Sequence, residues 1–129
     1  MSENIMEREL SEILDNIEDA VPTAKIEGLV LVSIEGLPIA STFKETNVEL
    51  NSELVAAMAA TLYSLGEQVV GELGKGKLKG VFVHGREGYI LVGRVGESAL
   101  VMMLSRKDSQ IGILLYGLQK AAERLQKFI

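Results

Sequence analysis

The 129-residue chain contains no cysteine and no tryptophan, and it has one histidine and two prolines. Without cysteine there is no disulfide, no thiolate nucleophile, no cysteine-ligated zinc and no iron–sulfur cluster. The single histidine, His84, excludes a multi-histidine metal site, and no Gly-x-Ser-x-Gly elbow marks a serine nucleophile. We therefore expect no catalytic residues, no metal site and no cofactor.

Basic and aromatic residues are also scarce. Thirteen Lys and Arg residues stand against 18 Asp and Glu residues, which gives a net charge of −5, and only 5% of the chain is aromatic. This composition disfavours nucleic acid as a partner, because it offers neither a basic surface nor stacking platforms. The uncharged apolar runs are shorter than the roughly 20 residues of a membrane span, and the acidic N-terminus is unlike a signal peptide. We expect a cytoplasmic binding module without direct membrane insertion.

The hydrophobic pattern predicts one α+β domain, residues 1–129, with the element order αββαβββα. The predicted helices are 3–21, 52–73 and a last one capped by Asp108 or Ser109; the predicted strands are 29–34, 38–43, 78–84, 89–95 and 98–104. Strand 29–34 is apolar on both faces, so it should be central in a five-stranded antiparallel sheet that has helices on both faces. Pro38 suits an edge strand.

The predicted helix 52–73 has more apolar surface than one sheet can cover. One apolar row, the leucine stripe, is expected to cover the sheet and consists of Leu54, Met58, Leu62, Leu65 and Val69. A second row beside it, the tyrosine stripe, consists of Val55, Ala59, Tyr63, Gly66 and Val70. Together the rows span about half the circumference, wider than the roughly 100° of a surface helix. Either loops of the same chain cover the tyrosine stripe or a second copy of this helix does, and we favour the second copy.

The strand that follows this helix supports self-association. Residues 79–84 contain one lysine and no proline, so an edge strand here would be poorly protected against pairing with another chain. Two copies could join edge to edge across a two-fold axis. We therefore expect a dimer interface formed by the tyrosine stripe together with Lys79, Val81 and Val83.

Two local patterns have ordinary structural interpretations. Residues 71–77 fit Gly-x-x-x-x-Gly-Lys, but Leu78 stands where a phosphate loop needs Ser or Thr, and the segment follows a helix instead of preceding one. Its glycines are expected to cap the helix and form a turn. We expect the basic cluster of Lys75, Lys77 and Lys79 to solubilise an edge of the sheet. Contact with an acidic partner is the lesser alternative.

Several segments resemble the Roadblock/dynein light-chain family over nearly the whole chain. They are the turn Glu35-Gly36-Leu37-Pro38-Ile39-Ala40, the phrase Gly88-Tyr89-Ile90-Leu91-Val92 before Gly96, and the helix start Ile111-Gly112-Ile113-Leu114-Leu115. The resemblance implies dimers that join through the third strand and second helix into one ten-stranded sheet, generally without catalytic residues. It also implies that prokaryotic members commonly regulate a Ras-like GTPase, in some cases accelerating GTP hydrolysis.

We therefore expect a non-enzymatic adaptor, paired with itself or with a paralogue, that scaffolds a small Ras-like GTPase or modulates its GTP hydrolysis. The expected partner surface is the face with the two central helices, and its rim residues are Glu53, Thr61, Ser64, Glu67 and Gln68. The alternative is a sensor that binds a small molecule between sheet and helix, which needs a cavity with converging polar groups.

Overall fold

Three helices and five strands follow one another in the order αββαβββα that the hydrophobic pattern predicts. The computed structural model describes residues 2–21, 25–44 and 50–129. The elements are α1 (Ser2–Ala20), β1 (Ile26–Ser33), β2 (Pro38–Phe43), α2 (Ser52–Glu72), β3 (Val81–Gly85), β4 (Gly88–Val95), β5 (Ala99–Arg106) and α3 (Ile111–Leu125), followed by a short 3-10 turn (Gln126–Phe128). The predicted α+β class and element order are confirmed.

The strands form one antiparallel sheet in the order β2-β1-β5-β4-β3. β1 lies between β2 and β5, and residues 29–32 are buried because both faces of the sheet are covered there. Pro38 begins the edge strand β2, and β3 forms the opposite edge. These placements agree with the prediction.

The sheet separates two hydrophobic cores. On one face, α1 and α3 pack their apolar stripes on the sheet, and Arg124 of α3 donates to Glu9 of α1 at 2.6 Å. On the other face, α2 packs alone against Val30, Val32 and Leu100. One helix thus lies across a five-stranded face and leaves part of that face uncovered.

Capping residues fix where the elements begin and end. The Asn51 side chain accepts hydrogen bonds from the backbone N–H groups of Glu53 and Leu54, both at 3.1 Å, and so caps α2 as expected. Gly74 follows α2 with φ +68°, a left-handed conformation that favours glycine.

Three predicted boundaries were wrong, and one of them is the start of β1, which begins at Ile26, three residues earlier than predicted. Gln110 precedes α3 without a side-chain cap, because Asp108 pairs with Lys25 and the Ser109 hydroxyl donates to the Lys25 carbonyl. β3 begins at Val81, three residues later than predicted, since Leu78 packs beneath α2.

Candidate interaction surface

The tyrosine stripe of α2 faces the sheet of its own subunit. Val55, Ala59 and Tyr63 are buried there, together with Ala56 beside them. Small side chains at 56 and 59 let the helix approach the sheet closely. Gly66 marks an equally close approach, because a Cβ at this position would lie 2.8 Å from Val81 Cγ2.

The leucine stripe faces away from the sheet, so the two stripes have the opposite orientation to the one expected. Four of its members are about half exposed: Leu54 56%, Met58 47%, Leu65 55% and Val69 46%. Only Leu62 is partly covered, at the margin of the α2 core. The stripe is therefore an apolar surface that the subunit itself leaves uncovered.

This orientation changes which residues of α2 can meet a second copy. The sheet of the same subunit covers Val55, Ala59 and Tyr63. Gly66 lies against Val81 and Leu78, and Val70 is half buried. The expectation that this stripe is left uncovered by its own subunit was wrong for Val55, Ala59 and Tyr63, because their own sheet lies in front of them. The dimer and its interface residues remain a prediction.

The two edges of the sheet differ in protection. At β2, Pro38 removes one backbone donor, and Lys44 at the strand end pairs with Asp15 and Glu18 of α1 at 3.1 and 2.7 Å. Hydrogen bonds to Glu18 and Asp15 raise the pKa of Lys44. β3 carries no such protection: Val83 is exposed, Val81 is half buried and Lys79 is exposed just before the strand.

Aromatic side chains lie on one face of the β3 edge. His84 stacks on Tyr89 of β4 with ring centroids 4.3 Å apart and an interplanar angle of 15°. Phe82, two residues earlier, is half exposed on the same face. In residues 2–21, 25–44 and 50–129, no cluster of three or more His, Asp or Glu side chains could hold a metal ion.

The predicted rim residues Glu53, Thr61, Ser64, Glu67 and Gln68 are all exposed along α2. The Thr61 hydroxyl donates to the Ala57 carbonyl at 2.8 Å, so it is partly engaged within the helix. The rim thus places hydroxyl, amide and carboxylate groups along the leucine stripe.

Arg94 of β4 lies beside α2 and is held by its own subunit. Its Nε donates to the Gly96 carbonyl at 3.0 Å, its Nη2 donates to the Glu97 carbonyl at 2.9 Å, and its Nη1 lies 3.7 Å from Glu67 Oε2. Burial raises the pKa of Tyr63; the charge of Glu67 adds to this shift and that of Arg94 opposes it. These contacts hold the guanidinium group of Arg94 against its own subunit.

A groove of about 420 Å³ lies beyond α2 on the same face of the sheet. Its floor is a row of side chains across three strands, in which Val83 pairs with Ile90 and Ile90 pairs with Leu104. The β3–β4 turn closes one end, and Glu27 and Glu87 lie at its margin. We call this feature the sheet groove. It lies beside α2, whereas the sensor alternative needs a cavity between α2 and the sheet.

By length and composition alone, α2 is long and apolar enough to cross a membrane. Core helices of soluble proteins pass the same test. Here one face of α2 packs on the sheet, so this composition is weak evidence for a span.

Comparison with known proteins gives a consistent family and fold. The model of the Roadblock/LC7 domain family matches residues 12–105. The uncharacterized protein MJ1340 of Methanocaldococcus jannaschii is 31% identical over 104 residues, which cover 81% of this chain and 88% of that protein.

Solved structures agree with the described topology. Myxococcus xanthus MglB superposes with a TM-score of 0.74 at 16% identity, covering 92% of this chain and 93% of that one. MglB in a tetrameric arrangement gives a TM-score of 0.76 at 16% identity, covering 92% of this chain and 88% of that one. At such identities the likeness establishes the fold.

Proposed function

The chain belongs to the Roadblock/LC7 domain family, and we propose that it is a non-enzymatic regulator that self-associates and binds a small Ras-like GTPase in the cytoplasm. The observation that carries this proposal is the exposed leucine stripe of α2 beside the unprotected edge of β3. Both features are suited to contact with other proteins.

Self-association through β3 would join two five-stranded sheets into one of ten strands. It would satisfy the outward backbone groups of β3 and cover apolar side chains of both subunits. MglB, which shares the fold, has been solved in a tetrameric arrangement, and this supports self-association of the fold. A paralogue with the same edge and stripe could replace the second copy.

The GTPase would bind to the α2 face of the dimer. There the leucine stripe offers apolar contact area, while Glu53, Thr61, Ser64 and Gln68 offer hydrogen-bonding groups around it. Arg94 is engaged with backbone carbonyls of its own subunit, so it is poorly placed to enter another protein's active site. Regulation would then act by rearranging the switch loops of the GTPase itself.

The proposal is tested by affinity purification of the tagged chain from its native host. We expect a GTP-binding protein of Ras-like size to be recovered, and its GTP hydrolysis to change when the purified chain is added. Met58→Asp should reduce recovery, whereas Gln119→Asp on the exposed face of α3 should not. Equal recovery with both variants would contradict binding through α2.

The sheet groove gives a second candidate function, the binding of a small apolar molecule. Its row of Val83, Ile90 and Leu104 supplies apolar surface, but the polar groups around it do not converge on one point as a specific site requires. Native mass spectrometry of the freshly purified protein tests this function. A bound metabolite at full occupancy would favour the sensor over the adaptor.

A further inference from the structure

We propose that the loop between α2 and β3 binds an anionic lipid surface, with Leu73, Lys75 and Lys77 as the contacting residues. We call residues 73–79 the lysine loop. Such a contact requires neither the GTPase nor the dimer, and it adds a peripheral membrane contact to the proposed function.

The lysine loop is held to its own subunit at both ends. At the α2 end, the Lys75 N–H donates to the Val70 carbonyl at 2.8 Å. At the β3 end, Leu78 packs in the core beneath α2, where its Cδ2 would lie 3.0 Å from a Cβ on Gly66. The residues between these two anchors are exposed, so their side chains are free to meet a surface outside the subunit.

The positive charge of this loop is not neutralised by ion pairs. Lys75, Lys77 and Lys79 are exposed, and in the part of the chain that the structure describes none of them pairs with a carboxylate. By contrast, Lys44 and Arg124 are engaged with acidic side chains of α1. Lys79 directly precedes β3 and stays among the predicted dimer contacts, so we assign the lipid contact to Lys75 and Lys77.

The lysines do not serve to stabilise α2. Basic residues interact favourably with a helix dipole when they lie in the last turn, and the last turn of α2 contains none. Residues 72–79 contain three lysines and one carboxylate, that of Glu72, which gives a local charge of +2 in a chain of −5. Charges farther away than about 8 Å are largely screened at physiological ionic strength, so the loop attracts an anionic surface despite the acidic whole.

An apolar side chain stands beside the lysines. Leu73 is 69% exposed, the highest value among the large hydrophobic residues that the structure describes. A Cβ added at Gly74 or Gly76 would find no atom within 4 Å, so the subunit places no side chain between the loop and a flat surface. Peripheral proteins bind membranes in this way, with apolar side chains among the headgroups and lysines on the lipid phosphates.

The composition of the loop favours lipid over an acidic protein as its occupant. The cores of protein interfaces are depleted in lysine, because ordering this long, strongly hydrated side chain is costly. Anionic lipids attract basic segments without imposing one geometry on each ammonium group. The loop also lacks the aromatic or arginine anchor that dominates the binding energy of many protein interfaces.

The contact is superficial and differs from a membrane span. One face of α2 packs on the sheet, so the helix stays with its subunit. The acidic helix α1 packs on the other face of the sheet, over β1 and β2 at the far edge from β3. An anionic surface at the lysine loop would therefore lie away from most of the negative charge of α1.

Co-sedimentation with vesicles tests the role of charge. We expect the native chain to bind vesicles of equal parts phosphatidylserine and phosphatidylcholine, to bind phosphatidylcholine alone about tenfold more weakly, and to be released by about 1 M salt. Lys75→Gln/Lys77→Gln should lower binding about tenfold or more, at about fivefold per lysine. The matched control Lys120→Gln/Lys127→Gln removes the same charge from exposed positions at α3 and should change binding less than about twofold.

A tryptophan in place of Leu73 tests the apolar contact, because the native chain contains no tryptophan. The emission of Leu73→Trp should shift to shorter wavelength with the anionic vesicles, since the indole then leaves water for the headgroup layer. Gln119→Trp, exposed on α3, is the control and should not shift. Circular dichroism should show the same secondary structure in all variants, because every substituted side chain is exposed.

The outcomes separate lipid from protein as the occupant. No binding to the anionic vesicles, equal binding to both kinds of vesicle, or equal losses in the two double variants would overturn the assignment. An unshifted Leu73→Trp on anionic vesicles, with a polyglutamate peptide that binds the native chain but not Lys75→Gln/Lys77→Gln, would overturn it in favour of an acidic protein segment. No GTPase enters these experiments, so their failure leaves the proposed function in place.

Discussion

Replacing Ala59 by aspartate distinguishes the buried face of α2 from its exposed face. Ala59 is 0% exposed and packs in the core between α2 and the sheet, whereas Ala57, two residues earlier, is exposed. Ala57→Asp is a matched control because both changes carry the same loss of helix propensity, about 0.5–0.7 kcal/mol. Any further destabilisation of Ala59→Asp reports burial.

The expected loss at position 59 is close to the stability of the whole fold. Keeping a buried carboxyl neutral at pH 7, against an ordinary pKa near 3.9, costs about 4 kcal/mol at 1.36 kcal/mol per pH unit. Burying the neutral group without a partner adds about 1–3 kcal/mol. A total of about 5–7 kcal/mol approaches the 5–15 kcal/mol by which domains are typically stable.

Urea unfolding followed by far-ultraviolet circular dichroism measures both variants at one protein concentration. The pKa of the carboxyl introduced by Ala59→Asp should be higher in the folded protein than in the unfolded chain, because burial disfavours its charged form. The folded state then binds more protons, so the stability of this variant should recover as the pH falls from 7 towards 4. Ala57→Asp should show no comparable recovery. Free energies of unfolding within about 1 kcal/mol of each other at pH 7 would refute the buried placement of Ala59.

Three further changes test α2 and its neighbourhood. Gly66→Ala should destabilise the fold by about 0.5–2 kcal/mol, because strain from the new Cβ near Val81 exceeds the gain of about 1 kcal/mol in helix propensity. Gly71→Ala has open space around it, so it should stabilise the fold by about 0.5–1 kcal/mol. Thermal unfolding compares the two; a stabilised Gly66→Ala would contradict the close approach. Arg94→Met should raise the pKa of Tyr63 further, since Arg94 opposes the shift caused by burial. An ultraviolet absorbance titration measures it, and an unchanged or lower pKa would contradict that electrostatic contact.

Hydrophobic patterning predicts most of the fold because local signals and burial agree along the chain. Residues 29–32 are apolar on both faces and are buried on both faces in β1, an interior strand of the sheet. Asn51 and Gly74 mark the ends of α2 through capping chemistry that depends only on neighbouring residues. Such features can be inferred from a single sequence.

The orientation of α2 could not be inferred from periodicity, which identifies two apolar stripes but does not decide which one meets the sheet. The available signal was side-chain size: Ala56, Ala59 and Gly66 permit close approach, and the bulkier Leu54 and Met58 lie outside. Large apolar residues suggested a core, yet small residues form the tighter contact with the sheet.

Contacts between residues far apart in the sequence determine the features that could not be predicted. Asp108 does not cap α3 because it pairs with Lys25, 83 residues away in the sequence. The floor of the sheet groove depends on the register of β3, β4 and β5, which brings Val83, Ile90 and Leu104 into one row. Neither arrangement has a local sequence signal.

The central claim is that two copies of this chain cover each other's exposed apolar surface. Light scattering of the purified native chain at micromolar concentration tests it most directly. The account predicts a mass of twice the 14.0 kDa of one chain, falling to a single chain in Val69→Asp without loss of secondary structure. A native chain that stays at 14.0 kDa at that concentration would contradict it.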